Sequence, residues 1–321
     1  MAGMVGARVV VTGGAGFIGS HLVDALLDQG AASVAIVDTF FLGKDTNLVD
    51  AATSDRCTIY REDAADAGAM AAVCEREQPD VVFNLATKAL LYSFFNPAGA
   101  CRVNLDIALT LCELLRGGAY GRLIHLSSSE VYGTAQQVPM DEDHPLLAET
   151  TYAAGKAAAD LTVASYGRMF GVDAVTVRPF NNFGPRQNEG AFAGVIPLTV
   201  RRVLDGLTPV IEGDGQQTRD FIYVADTVDA ILRVADLEGT AGVVLNLGSG
   251  VETGIGALIG RVAELAGYDG PFEYLPARAA DVRRHCASVE RAEALIGPIA
   301  RTALDDGLRT TVEWYLAQAA R

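Results

Sequence analysis

Tyr152 and Lys156 form the motif Y-x-x-x-K. Four residues apart on a helix, the two side chains lie on one face. Free tyrosine titrates near pH ~10 and is a poor base at neutrality. A neighbouring ammonium and a cationic cofactor favour the phenolate; lowering the pKa by about three units takes roughly 4 kcal/mol of differential stabilisation. A place for such a cofactor lies upstream, where residues 12–19 read T-G-G-A-G-F-I-G. Gly13 permits a tight turn, Gly16 lets a pyrophosphate approach the backbone, and Gly19 lets helix pack on strand. Phe17 and Ile18 complete the loop, and the helix that starts there offers amide donors and a positive dipole end. Asp38 follows at about 20 residues' distance, where a carboxylate accepts from both ribose hydroxyls and repels a 2′-phosphate. The dinucleotide expected is therefore NAD. Asp63 follows the third apolar run and either reaches the adenine or stands solvated in a turn.

These groups need a scaffold that brings distant segments to one edge. The first half of the chain has the pattern for it: short apolar runs at 8–12, 33–38, 57–61, 81–85, 122–127 and 173–178 alternate with helical periodicity at 16–28, 67–77, 98–116 and 152–170. Such alternation predicts an α/β fold, a Rossmann-type doubly wound parallel sheet. Residues 1–180 are expected to form the NAD-binding domain. The Asn-, Gly- and Pro-rich stretch 181–190 reads as a loop and lobe boundary. The chain is expected to return to the first domain at about 218–248, leaving 181–217 and 249–321 as a smaller C-terminal substrate-binding lobe.

T-G-G-A-G-F-I-G, S-S-S-E-V-Y-G at 127–133, Y-A-A-G-K at 152–156 and R-P-F-N-N-F-G-P-R-Q at 178–187 together resemble the extended short-chain dehydrogenase/reductase family, in particular its nucleotide-sugar epimerases, dehydratases and decarboxylases. Q-T-R-D-F-I-Y-V-A-D at 217–226 and D-V-R-R at 281–284 carry the likeness into the C-terminal lobe. The resemblance implies roles. Tyr152 takes the proton of the sugar 4-hydroxyl, Ser128 hydrogen-bonds that hydroxyl, and Lys156 holds the nicotinamide ribose while hydride passes from carbon 4 to NAD. Ala86 would line the cofactor's path, Asn181 would contact the sugar diphosphate, and Arg219 and Arg283 would grip its phosphates. Either arginine could instead be a surface ion-pair partner. The sequence departs from the family pattern twice: the usual H-L-A-A is N-L-A-T at 84–87, followed by Lys88, and the usual serine before the lysine is Gly155. Thr87 and Lys88 are therefore expected to meet the sugar.

Glu130 bears on the reaction. The resemblance implies that simple 4-epimerases carry a small or neutral residue there, whereas dehydratases and decarboxylases carry Glu, which removes the carbon-5 proton once carbon 4 is oxidised. Ser129 stands where one dehydratase pattern has Asp, and a Ser-Glu pattern also occurs among dehydratases. Glu130 could also be an outward-facing turn residue. The N-L-A-T-K segment and the chain length narrow the likeness to UDP-N-acetylglucosamine 5,6-dehydratases of the tunicamycin type. The expected activity is dehydration of a UDP-hexosamine, with a UDP-hexose 4-epimerase, a UDP-glucuronate decarboxylase and a non-enzymatic NAD-sensing module as alternatives. The apolar helices at 98–116 and 152–170 have more apolar surface than one sheet face needs, and the family pairs their equivalents across a two-fold axis, so a homodimer is expected.

Composition limits the partners. Over 321 residues the chain is 50% hydrophobic and 20% charged, the profile of a globular protein. A formal net charge of -15 repels nucleic acid and anionic membrane, so neither is expected as a partner. The 5 cysteines, irregularly spaced and without C-x-x-C, suggest neither zinc nor a disulfide framework, and no metal site is expected. With no secretory signal or membrane-length apolar run in view, a cytoplasmic location is expected.

Overall fold

The computed structural model describes residues 4–277 and 282–320. Asp281, the first residue of D-V-R-R, lies outside the described residues. The chain runs β1 (Arg8–Thr12), α1 (Phe17–Asp28), β2 (Ser33–Val37), β3 (Cys57–Tyr60), α2 (Ala67–Glu77), β4 (Val81–Asn84), α3 (Pro97–Arg116), β5 (Arg122–Leu126), α4 (Thr151–Phe170) and β6 (Ala174–Pro179). It continues with β7 (Asn181–Phe183), α5 (Val195–Leu204), β8 (Val210–Glu212), β9 (Thr218–Tyr223), α6 (Val224–Ala235), β10 (Val244–Leu247), β11 (Glu252–Gly254), α7 (Ile255–Leu265), β12 (Glu273–Leu275), α8 (Glu290–Ile296) and α9 (Leu304–Ala319).

The inner strands β1, β2 and β4 are short apolar runs because both faces of their sheet are covered. That sheet has 7 strands in the order β10-β6-β5-β4-β1-β2-β3, and its pairings are all parallel. Alternate residues of β1 divide the two cores. Val9 and Val11 pack with Leu22 and Leu26 of α1 and Ile231 of α6. Val10 packs with Met70 of α2, Ile107 and Leu111 of α3, and Ala159 and Val163 of α4. The sequence-based expectation of a Rossmann-type α/β fold is met. The strand order reverses between β1 and β4, and ligands of such sheets bind in the crevice at that switch point, beyond the carboxyl ends of the strands.

The smaller layer is built on a β11-β9-β7 sheet and a β12-β8 pair. Phe183, Phe221, Val200, Val262 and Leu308 form its core. The 181–190 stretch is not all loop. Asn181–Phe183 forms β7, parallel to β9, and Phe183, 1% exposed, anchors it. A strand this short and this polar shows no period-2 pattern, and tertiary pairing decides its conformation. Among the described residues no helix is long and apolar enough to cross a membrane.

Candidate active site

The glycine loop is built for close approach. Gly13 has φ +73, and a Cβ there would lie 2.7 Å from the Ala86 nitrogen and from the Leu85 carbonyl carbon. A Cβ on Gly19 would lie 2.1 Å from the Gly13 oxygen. Gly16 is the N-cap of helix α1 and supplies no capping side chain, and the first turn holds no acid, so its first amides have no competing carboxylate. At the end of β2 the Asp38 carboxylate accepts from the amides of Ala15 (3.0 Å) and Phe40 (2.7 Å). Burial raises its pKa, while those amides and the Lys88 ammonium pull the other way. A cradle that only glycine can line, beside an acid fixed by two amides, fits the pyrophosphate and adenosine ribose of NAD.

A cavity of about 340 Å³ runs from this loop to the catalytic candidates. Its walls include Gly13, Gly16, Phe17, Ile18, Gly19, Asp38, Asp63 and Ala86 at one end and Thr87, Lys88, Ser128, Tyr152 and Lys156 at the other. Helix α4 presents the last pair. Thr150 caps it by accepting from the Ala153 amide at 3.1 Å, which fixes where Tyr152 and Lys156 leave the first turn. Burial pushes the Tyr152 phenol up to about 12; the Ser128 hydroxyl acts against that rise, and the Glu130 carboxylate adds to it. Burial also pushes Lys156 down to about 8, against the attraction of Asp160. The Lys156 ammonium, 2% exposed, donates to the Leu126 carbonyl at 2.8 Å.

Ser128 closes the turn Ser129–Tyr132 by accepting from the Glu130 amide at 3.2 Å, which leaves its own hydroxyl proton to donate. Glu130 is half-buried on this turn, with its carboxylate close enough to act on Tyr152. Ser129 is 3% exposed and sits behind the cavity wall rather than on it. Lys88 places its ammonium 3.6 Å from the ring centroid of Phe41, which also lines the cavity.

The remaining candidates stand apart from the cavity walls. Asn181 has a buried side-chain nitrogen without a hydrogen-bond partner, while its neighbour Asn182 is on the wall. Arg219 is 9% exposed and donates to the Thr218 carbonyl at 2.8 Å. Arg283 is paired with Asp214 at 2.9 and 3.1 Å, an exposed ion pair in the smaller layer.

The sequence reading missed several residues. Arg186 lines the cavity and pairs with Asp24 of α1 at 2.6 Å, tying the segment after β7 to the cofactor helix. Behind Lys156, Asp160 is buried between Arg178 (2.8 Å) and His125 (3.6 Å). Although burial raises it, contact with His125 and the charge of Arg178 hold the Asp160 carboxyl below the usual range. Arg178 also donates to Tyr132 at 2.9 Å, and Tyr132 to Asn246 at 2.7 Å. The one available signal was the spacing of Asp160 four residues past Lys156, which puts it on the same helical face. Gly155, the departure from serine, has a steric cause: a Cβ there would lie 2.6 Å from the Cys101 carbonyl oxygen, so α3 and α4 cross in near-backbone contact.

A parallel sheet with a glycine-lined groove at its switch point, opening onto a Ser–Tyr–Lys group on the cavity wall, has the make-up of a dinucleotide-dependent enzyme. Comparison with known proteins narrows the class. Residues 9–248 match the NAD dependent epimerase/dehydratase family. The chain is 36% identical to a UDP-glucose 4-epimerase of Mycolicibacterium smegmatis over 96% of its own length and 98% of the relative's. Among solved structures it is similar to a UDP-N-acetylglucosamine 4-epimerase of Methanobrevibacter ruminantium in complex with UDP-N-acetylmuramic acid (34% identity, 98% and 99% of the two chains, TM-score 0.90). It is also similar to a dTDP-glucose 4,6-dehydratase of Streptomyces venezuelae with NAD bound (30% identity, 98% of each chain, TM-score 0.92). The chain belongs to the NAD-dependent epimerase/dehydratase family of nucleotide-sugar enzymes.

Proposed function

We propose that the protein dehydrates a UDP-hexosamine, UDP-N-acetylglucosamine being the expected substrate, to an exocyclic 5,6-alkene, as a lyase of the tunicamycin type. The observation that carries the reading is the Glu130 carboxylate on the turn beside Tyr152. A pure 4-epimerase needs no such group, and at this position it raises the pKa of the very phenol that must deprotonate. NAD, when bound, accepts a hydride from sugar carbon 4 and returns it. Tyr152 takes the 4-hydroxyl proton and gives it back at the end, with Ser128 donating to the oxygen that carries the charge. Lys156 holds the nicotinamide ribose. Glu130 removes the carbon-5 proton, made acidic by the ketone at carbon 4, and passes it to the carbon-6 hydroxyl, which leaves as water; Ser129, behind the cavity wall, acts only by holding the turn that carries Glu130. Thr87 and Lys88 face the sugar, Asn181 contacts its diphosphate, and Arg219 and Arg283 grip the phosphates. UDP is favoured as the carrier because the similar Methanobrevibacter enzyme is named for, and was solved with, UDP-linked N-acetyl sugars.

Incubation with a panel of UDP- and dTDP-sugars, followed by mass spectrometry, tests this. Loss of one water from UDP-N-acetylglucosamine is expected. An isomer of unchanged mass would move the protein to the epimerases, and loss of carbon dioxide from UDP-glucuronate to the decarboxylases.

A further inference from the structure

The departure at Thr87 has a structural partner that the proposed reaction leaves unused. Thr87 lines the cavity beside Tyr152, and its hydroxyl acts on the phenol as Ser128 does. Yet in the free protein the Thr87 Oγ1 proton points away, to the Asn104 side-chain oxygen at 2.7 Å, with the Lys88 carbonyl a longer alternative at 3.1 Å. Asn104 is 2% exposed on α3. Its amide nitrogen donates to the Ala100 carbonyl at 3.1 Å, which fixes the oxygen toward Thr87. The position of Asn104 follows from Gly155. Cys101, which meets Gly155 backbone to backbone, stands three residues before Asn104 on the same face of α3. The glycine that replaces the family's serine thus sets the depth at which α3 delivers Asn104 to Thr87.

We propose that the Thr87 hydroxyl is a swivelling donor for Tyr152, parked on Asn104 while Tyr152 is a phenol and turned onto its oxygen when Tyr152 is a phenolate. A hydroxyl has one proton and can accept while it donates. With a neutral Tyr152, Thr87 donates to Asn104 and can accept the phenol proton. When that proton is gone, rotation about the Thr87 Cβ–Oγ1 bond moves the donor to the negative oxygen, and a charge-assisted hydrogen bond replaces a neutral one. The device suits a cycle in which the tyrosine must take a proton and then return it. Thr87 and Asn104 are thus positioning residues with opposite effects: one stabilises the phenolate and the other competes for the same proton. The inference deepens the proposed function, resting on Tyr152 as the group that exchanges the proton.

The test is the Tyr152 titration in NAD-loaded protein, read as near-ultraviolet difference absorbance against Tyr152→Phe, beside the pH profile of NADH formation in a single turnover. Thr87→Val keeps the side-chain shape and removes the donor; the Tyr152 pKa is expected to rise by about one pH unit, the net of an ionic hydrogen bond lost and a neutral one no longer given up. Thr87→Ser should restore it. Asn104→Leu should shift the pKa the other way, and in the double variant its effect should vanish, because no swivelling proton remains to compete for. The proposal is overturned if Thr87→Val leaves the titration unmoved and raises only KM, as a plain sugar contact would. It is equally overturned if the two single variants shift the same way, or if the double variant is additive. Should the titrations behave as stated while no nucleotide sugar reduces the bound NAD, the device stands and the catalytic reading of Tyr152 fails.

Discussion

Replacing Glu130 with glutamine separates the two halves of the proposed reaction. The backbone amide that Ser128 caps is unchanged by the substitution, so the turn and the Ser128 hydroxyl keep their places. Oxidation at carbon 4 depends on Tyr152, Ser128 and Lys156 and loses no partner. It gains slightly, because the carboxylate that raises the Tyr152 pKa is removed; the oxidation limb of the pH profile should therefore move to lower pH. Elimination loses its base. A positioned acid or base contributes about 10²–10⁴-fold, which is roughly 3–5.5 kcal/mol of barrier. Alkene formation should fall by that factor while NADH absorbance rises and persists, since the 4-keto sugar waits for a proton transfer that no longer occurs. The assay is stopped-flow NADH absorbance in a single turnover beside mass analysis of the quenched product. Full turnover in Glu130→Gln, with a product of the substrate's mass, would refute the dehydratase reasoning and leave a 4-epimerase.

Other substitutions probe the frame. Asp38→Ala removes the carboxylate held by the Ala15 and Phe40 amides; NAD affinity should drop and discrimination against NADP should relax, as measured by calorimetric titration, and tighter NADP binding by the wild type would reject the assignment. Gly155→Ser restores the family residue but sets a Cβ 2.6 Å from the Cys101 oxygen; a loss of about 1–3 kcal/mol is expected in denaturant unfolding, and an unchanged midpoint would mean the helices are free to separate. Leu109, Leu161, Met169 and Phe170 are 39%, 57%, 71% and 48% exposed on α3 and α4, the surface expected to pair across a two-fold axis. Light scattering should find a dimer for the wild type and a monomer for Leu161→Glu, and a monomeric wild type at micromolar concentration would reject that interface.

What could be read in the sequence was whatever local geometry dictates. A glycine loop announces itself because only glycine tolerates φ +73 with a neighbouring backbone at 2.7 Å, and Y-x-x-x-K because four residues make one helical turn. Apolar runs marked the buried parallel strands for the same reason. Contacts between distant segments were not legible. Nothing local ties Asn104 to Thr87, Asp160 to His125 and Arg178, or Arg186 to Asp24; each pairing exists only because the sheet and its helices bring residues from different crossovers together. Gly155 was visible as a substitution, but its cause lies on another helix. Arg219 and Arg283 show the converse: motif reading named them, while the structure keeps both off the cavity wall, one on a backbone carbonyl and one in an exposed ion pair.

The electrostatics of the cavity assign the cofactor more than a redox part. Burial pushes Tyr152 up to about 12 and Lys156 down to about 8, each shift favouring the neutral form. From free tyrosine, reaching a working base near neutrality takes roughly 4 kcal/mol; from a buried phenol at about 12 it takes roughly 7 kcal/mol. The Ser128 and Thr87 hydroxyls both already act on the phenol at that value, and each such hydrogen bond to a charged group is worth only about 1.5–3 kcal/mol. What remains has the sign of a nearby positive charge. The site would offer two such charges, the Lys156 ammonium, which here donates to the Leu126 carbonyl, and the nicotinium of a bound NAD. A base assembled by cofactor binding would, by linkage, make NAD binding strengthen as pH rises through the Tyr152 pKa, which calorimetric titration across that range would show.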